Sequence, residues 1–290
     1  MSTSLRAAQT RLCALIELLD DDSTVVGREV LRELDRLGRP ARAAVRRAAR
    51  SGVARVRPRA RRMQLLLARL AQARRLARYS VRKDLDLERA LWLLARFDDP
   101  ALDVRPYVLA LDAMAAEVLR RIDALPATHE RVLELARYLG GELGYRGEQE
   151  DYHAPGNALL PRVIVDKRGL PLTLCALYLL VARRAGLRAA IMPLPGHVML
   201  RLYGGDKHVI VDPFHEGKVR NERELLKFLA EHGLAFQPTW FRDADDRAMF
   251  ARQVANLKTA YIRRGMHQEA GMLDLVNAAL DRGAQKRTRG

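Results

Sequence analysis

The chain has 290 residues, 49% hydrophobic and 30% charged, with a formal net charge of +16 at pH 7; this supplies apolar material for a self-standing core and excludes a wholly disordered or low-complexity chain. Its two cysteines, Cys13 and Cys175, lie far apart and outside any CxxC spacing, which excludes a disulfide scaffold and a thiolate zinc site and points to a reducing cytoplasm. The start of the chain lacks the pattern of a secretory signal, and the longest apolar run, Leu170 to Ala182, is too short to span a bilayer, so a soluble protein without a membrane span is expected.

The first 80 residues read as helices. Leu12, Leu15, Ile16 and Leu19 share one face of a first helix that Asp20, Asp21 and Asp22 end. Ser23 caps a second helix with Val26, Val30, Leu31 and Leu34 inward, and Gly38 closes it. Pro40 opens a short third helix through Arg50, giving pairs of the length used in HEAT-like stacking. A fourth amphipathic run, Arg59 to Tyr79, carries Met63, Leu66, Leu67 and Leu70 as its stripe. Between Asp35 and Asp84 there is no acid, but there are 17 arginines and lysines. A block of one sign marks either an anionic partner or a solvated face. With Tyr79 its only aromatic, the block lacks base-stacking platforms, so any nucleic-acid contact would be to phosphates.

Three helices follow, around Trp92, Met114 and Leu133, separated by Asp98-Asp99-Pro100 and Leu125-Pro126. Tyr145 to Pro155 has loop composition. Asn157 reads as the cap of a helix that tolerates Pro161 in its first turn and ends at Gly169. Pro171 starts a helix running to Ala185, apolar nearly all round, with Arg183 and Arg184 in its last turn and Gly186 as its stop. This should be the central helix of a core. The period then changes from helix to strand: Leu187 to Pro193, His197 to Tyr203 and Lys207 to Val211, with Gly204-Gly205-Asp206 as a hairpin turn. A two- or four-residue turn would pair residues summing to 409 and set His197 opposite Asp212, whereas a three-residue turn would miss that pairing by one. From Asp245 a helix pair follows, with Leu257, Tyr261, Gly265 and Ala270 at tetratricopeptide spacings.

An imidazole held by a carboxylate is the base half of a nucleophilic triad. His197 and Asp212 are therefore expected within hydrogen-bond reach, on the face toward the helix that begins at Pro171. The nucleophile is less plain. Cys175 lies one turn too deep for full activation by the helix N-terminus, shares a face with Pro171, and reads either as a displaced nucleophile or as a buried apolar thiol. Thr173 is a weaker candidate. A metal set of His197, His208, Asp212 and His215 would need all four side chains to point one way, which strand alternation denies to His208 and His215 together; no metal and no cofactor is assigned. No Walker loop, GxGxxG or HExxH motif is present.

The segments YRGEQEDYHAPGNALL, RGLPLTLCALYLLVARRAGL, PLPGHVMLRL and VIVDPFHEG, in that order, resemble the bacterial SirB-type branch of the transglutaminase-like superfamily. The resemblance implies a papain-like or transglutaminase-like α+β core, with a central helix on a small antiparallel sheet, preceded by a helical region and followed by a tetratricopeptide-like tail; with the helix pairs, the basic block and the junction at residues 80–84 this gives a HEAT-like, strongly basic region over 1–83, the core over 84–243 and the tail over 244–290. It implies that a cysteine at the start of the central helix attacks an amide while His197 and Asp212 complete the triad, with Tyr145, Asn157, Pro171 and Thr173 in the binding region. The cysteine's expected place is at or near Pro171. Three readings stay open: a catalytically altered member that binds a protein or peptide, an active thiol-dependent amide hydrolase or acyltransferase using Cys175, and polyanion binding through residues 36–83.

Overall fold

A computed structural model describes residues 3–18, 23–52, 56–125, 128–205, 207–231, 233–235 and 237–288. The expected helix-ending acids at 20–22, Leu19, Pro126 and Asp206 fall outside this set. The N-terminal helices are α1 (Thr3–Glu17), α2 (Thr24–Leu37), α3 (Arg39–Ala48) and α4 (Val56–Ser80). The Ser23 hydroxyl accepts from the Val26 N–H, and Gly38 takes a positive φ of 70° between α2 and α3. The apolar stripe of α4 buries Met63, Leu66, Leu67 and Leu76.

Next come α5 (Leu87–Asp98), α6 (Arg105–Asp123) and α7 (Thr128–Ala136), the last running into a π-helical turn, Arg137–Glu142. A two-residue strand β1 (Arg146–Gly147) pairs in parallel with β2 (Arg168–Gly169), and α8 (Leu160–Asp166) lies between them. Asn157 is not its cap. Leu159 takes that position, Asn157 sits in a preceding 3-10 turn, and the helix ends at Lys167 (φ 56°) rather than at Gly169.

Helix α9 (Pro171–Arg184) is the centre of the molecule, and every residue from Pro171 to Ala182 is buried. Such all-round apolarity is what a helix enclosed by other elements requires. It packs on an antiparallel sheet of order β3-β4-β5-β6: β3 (Arg188–Met192), β4 (Met199–Gly204), β5 (Lys207–Asp212) and β6 (Lys218–Arg220). The β4–β5 register is Leu200↔Val211 through Gly204↔Lys207, so paired residues sum to 411, not the expected 409. Gly204 and Lys207, flanking the turn, pair with each other, so the register shifts by two and every side chain keeps its expected face.

After α10 (Glu222–Glu231), the tail comprises α11 (Asp246–Arg263), α12 (His267–Met272) and α13 (Asp274–Thr288), so the expected pair has its second member broken at Leu273. The tail lies on the N-terminal helices. Buried Glu269 of α12 pairs with Arg62 and with the buried Arg69 of α4, the latter at 2.8 Å; Arg69 also reaches Asp98 at 3.1 Å. Arg247 of α11 donates to the carbonyls of Ser80 and Arg82, and Asp246 accepts from the first N–H of α5 at 2.9 Å. One contiguous apolar core runs from Leu15 through α9 to Leu280. Among the described residues, no helix is long and apolar enough to cross a membrane.

Candidate functional site

Three local devices bring the site together at the open end of α9. Leu170 is extended at the N-cap, and Pro171 occupies the first turn, where its missing N–H has no intrahelical partner to lose. His197 lies in the β3–β4 connection just after Gly196, whose φ is 71°. Arg252 of α11 holds that connection by donating to the carbonyls of Leu194 (3.1 Å) and His197 (3.5 Å). Asp212 is the last residue of β5, and Pro213 turns the chain into a 3-10 turn that ends at His215.

His197 is therefore not directly opposite Asp212. By register that place belongs to Met199, and His197 is two residues earlier on the same face, a diagonal neighbour. The pair still meets: Nε2 of His197 is 3.0 Å from Oδ1 of Asp212. Oδ2 of the same carboxylate lies 2.7 Å from Nδ1 of His215 and accepts from Arg220 of β6 at 3.1 Å. Asp212 is 1% exposed. Its burial alone would raise its pKa, but the hydrogen bond and positive field of His197, joined by His215, more than offset this and bring it to about 2.

The three side chains face a cleft of about 420 Å³, lined also by Pro171, Tyr152, Phe214, Leu225 and Phe228, with Glu224, Lys227 and Glu231 contributing charge. The His197 ring has Phe214 edge-on at 5.9 Å and Phe228 at 5.8 Å between centroids.

The other sequence candidates lie elsewhere. Cys175 is completely buried; its Sγ donates to the Val198 carbonyl at 3.4 Å, and it does not line the cleft. Burial first, then the Asp212 charge, pushes its thiol well above the usual range, so it stays protonated. Thr173 is equally buried, its hydroxyl accepting from Gln253 at 2.9 Å. Tyr145 donates to the Ile164 carbonyl at 3.1 Å, and burial pushes its phenol up to about 12. Asn157 donates to the carbonyls of Asp151 and Tyr152 at 2.7 and 3.2 Å, shaping the loop that sets Tyr152 in the cleft wall. Of the four residues expected in the binding region, only Pro171 borders the cleft. Tyr145, Asn157 and Thr173 face inward because their polar groups have protein partners.

The residues that sequence reasoning missed are Arg220, Tyr152, Phe214 and Phe228. Phe214 lies within the VIVDPFHEG segment, and its ring packs so closely on Gly147 that a Cβ there would fall 2.3 Å from it. Arg220 and Phe228 come from β6 and α10, which carried no readable pattern.

The family model for the transglutaminase-like superfamily matches residues 105–255, which span α6 to α11 and contain the whole cleft. The chain belongs to the transglutaminase-like superfamily. A UPF0162 protein of Xylella fastidiosa strain 9a5c is 29% identical over 140 residues, 48% of this chain and 50% of that one. The UPF0162 protein of Pseudomonas aeruginosa is 27% identical over 63% of this chain and 65% of its own. Human F-box only protein 21 is 25% identical over 49% of this chain and 24% of its own. The chain thus spans about half the length of the curated relatives it matches first. No solved structure matches it.

Proposed function

We propose that this chain is a SirB-type, catalytically altered transglutaminase-like protein whose cleft binds a protein or peptide segment without turning it over. One observation carries the reading: at the cleft end of α9, where the superfamily's attacking thiol is expected, stands Pro171, while Cys175 is buried one turn deeper against the Val198 carbonyl. A protonated thiol facing a backbone carbonyl inside the core is neither nucleophilic nor reachable. The His197–Asp212 pair keeps its geometry, so the surroundings of an acyl-transfer site are retained without its nucleophile. The cleft wall suits a peptide. Phe214, Phe228, Leu225 and Tyr152 offer apolar contact for a side chain, while the charged residues around them and the imidazoles can receive backbone polar groups.

The test combines selection with turnover. A displayed peptide library is panned on the full chain and on Phe228→Ala, and the enriched peptides are incubated with the protein and scanned for amide cleavage or amine incorporation. The expected result is a peptide family that binds the parent at least tenfold more tightly than Phe228→Ala and is recovered intact. Turnover abolished by Cys175→Ala would establish the thiol-dependent enzyme instead. Enrichment of no family that Phe228→Ala weakens would remove the binding reading.

A further inference from the structure

His197, Asp212 and His215 do more than form a base and its orienter. Their ligand-type atoms, one from each side chain, all lie within 4.8 Å of one another. Two imidazole nitrogens converge on the two oxygens of one carboxylate, at 3.0 and 2.7 Å. Because a carboxylate only accepts, each contact needs a proton on the facing nitrogen. A single cation can replace both protons.

The spacing suits that exchange. In a four-coordinate site with bonds of about 2.0–2.2 Å, neighbouring donor atoms sit roughly 3.3 Å apart; the two imidazole–carboxylate separations, 3.0 and 2.7 Å, would open slightly to reach this, and all three donor atoms already lie within 4.8 Å. The chemistry of the set, two neutral imidazoles and one carboxylate, fits borderline ions of the zinc type better than calcium or magnesium, which take oxygen ligands. Three protein ligands on a cleft wall also leave a fourth position facing the cavity. Strand alternation argued against including His215 only while it was read as part of a strand. Pro213 takes the chain out of β5, so His215 is free of that constraint, and His208 is exposed at the far end of the same strand, opposite Tyr203.

The frame around the three residues is fixed. Arg252 donates to the His197 carbonyl, and Arg220, at the cleft wall, donates to the same Oδ2 that faces His215 and so helps orient the carboxylate. Arg220 also sets a positive charge beside the site, which lowers the attraction for a cation without occupying a ligand position.

We propose that His197, Asp212 and His215 form a three-ligand site for a zinc-type divalent ion that opens on the cleft. The inference does not depend on peptide binding and is tested with the metal alone. The full chain, carrying Cys13→Ser because Cys13 is exposed, is stripped with chelator, then titrated with Zn²⁺ by calorimetry and with Co²⁺ by visible absorption. The expected result is one ion per chain, a Co²⁺ band of four- or five-coordinate character, and affinity falling about 100-fold or more in His215→Gln and His197→Gln but unchanged in His208→Gln. His215 is about half exposed, so its variant should fold even if His197→Gln does not. The absence of stoichiometric binding, or binding that survives in His215→Gln, overturns the site.

Discussion

Cys175 and Pro171 are four residues apart on one helix, yet one touches the cleft and the other does not. The difference is depth: a first-turn side chain stands at the helix mouth, while a residue one turn on is covered by the sheet that α9 packs against. In the folded protein, iodoacetamide at pH 8 should label Cys13 and leave Cys175 untouched until denaturant is added, as peptide mass mapping will show. Pro171→Cys should behave oppositely. A thiol placed there meets the N–H groups of the first turn and borders the same cleft as His197, so its pKa should fall below the free value and labelling should proceed readily below pH 7. Labelling of that thiol only at alkaline pH would show that the helix mouth does not activate it. The sequence makes the His197–Asp212 pair legible because a two-residue change of register preserves the face. It leaves Cys175 ambiguous because helical spacing reports a shared face, not which neighbour covers each turn.

At the level of elements, the legible parts are those with punctuation. Pro171 and Gly186 bracket α9, and the β-branched run Val209 to Val211 with its glycine turn marks the hairpin. What escaped notice is short or irregular: β1 and β2 are two residues each, β6 is three, and the π-helical turn has no sequence periodicity of its own. Those pieces nevertheless hold the site. Gly140 of the π turn packs so tightly on the chain after His215 that a Cβ there would lie 1.9 Å from the Glu216 carbonyl oxygen and 2.8 Å from the Gly217 nitrogen. Gly140→Ala should therefore push the 213–217 segment outward and destabilise the protein by about 1–3 kcal/mol, measured by urea unfolding. Gly141, with open space around its position, is the control. Gly141→Ala should change stability by less than about 0.5 kcal/mol. Equal losses in the two variants would count against the packing argument.

Across the whole molecule, the basic block divides into two populations. Arg62, Arg69 and Arg74 are engaged by Glu269, Asp98 and Asp35, acids that lie outside the block in sequence but against it in the fold. Arg46, Arg47 and Arg50 around the end of α3, and Arg57, Arg61, Arg75 and Arg78 of α4, are exposed and meet no acidic partner among the described residues. The polyanion reading accordingly narrows to these arginines, with the α3 group the densest in sequence. Heparin binding at low salt should weaken steeply as salt rises, and Arg46→Glu with Arg47→Glu and Arg50→Glu should weaken it far more than Arg74→Glu does. Retention by the triple variant comparable to the parent, measured by salt elution, would reduce the block to a solvated face. Local patterns gave no hint of this division, because the pairing of Arg69 with Glu269 joins positions 200 residues apart. That same closure sets an order of events during synthesis. The face of α4 that α3 and α5 leave open is covered only once α12 and α13 have been made, so until then Arg69 has Asp98 but not Glu269. Closure of this face is thus a late, non-local event rather than one that accompanies emergence of the first helices.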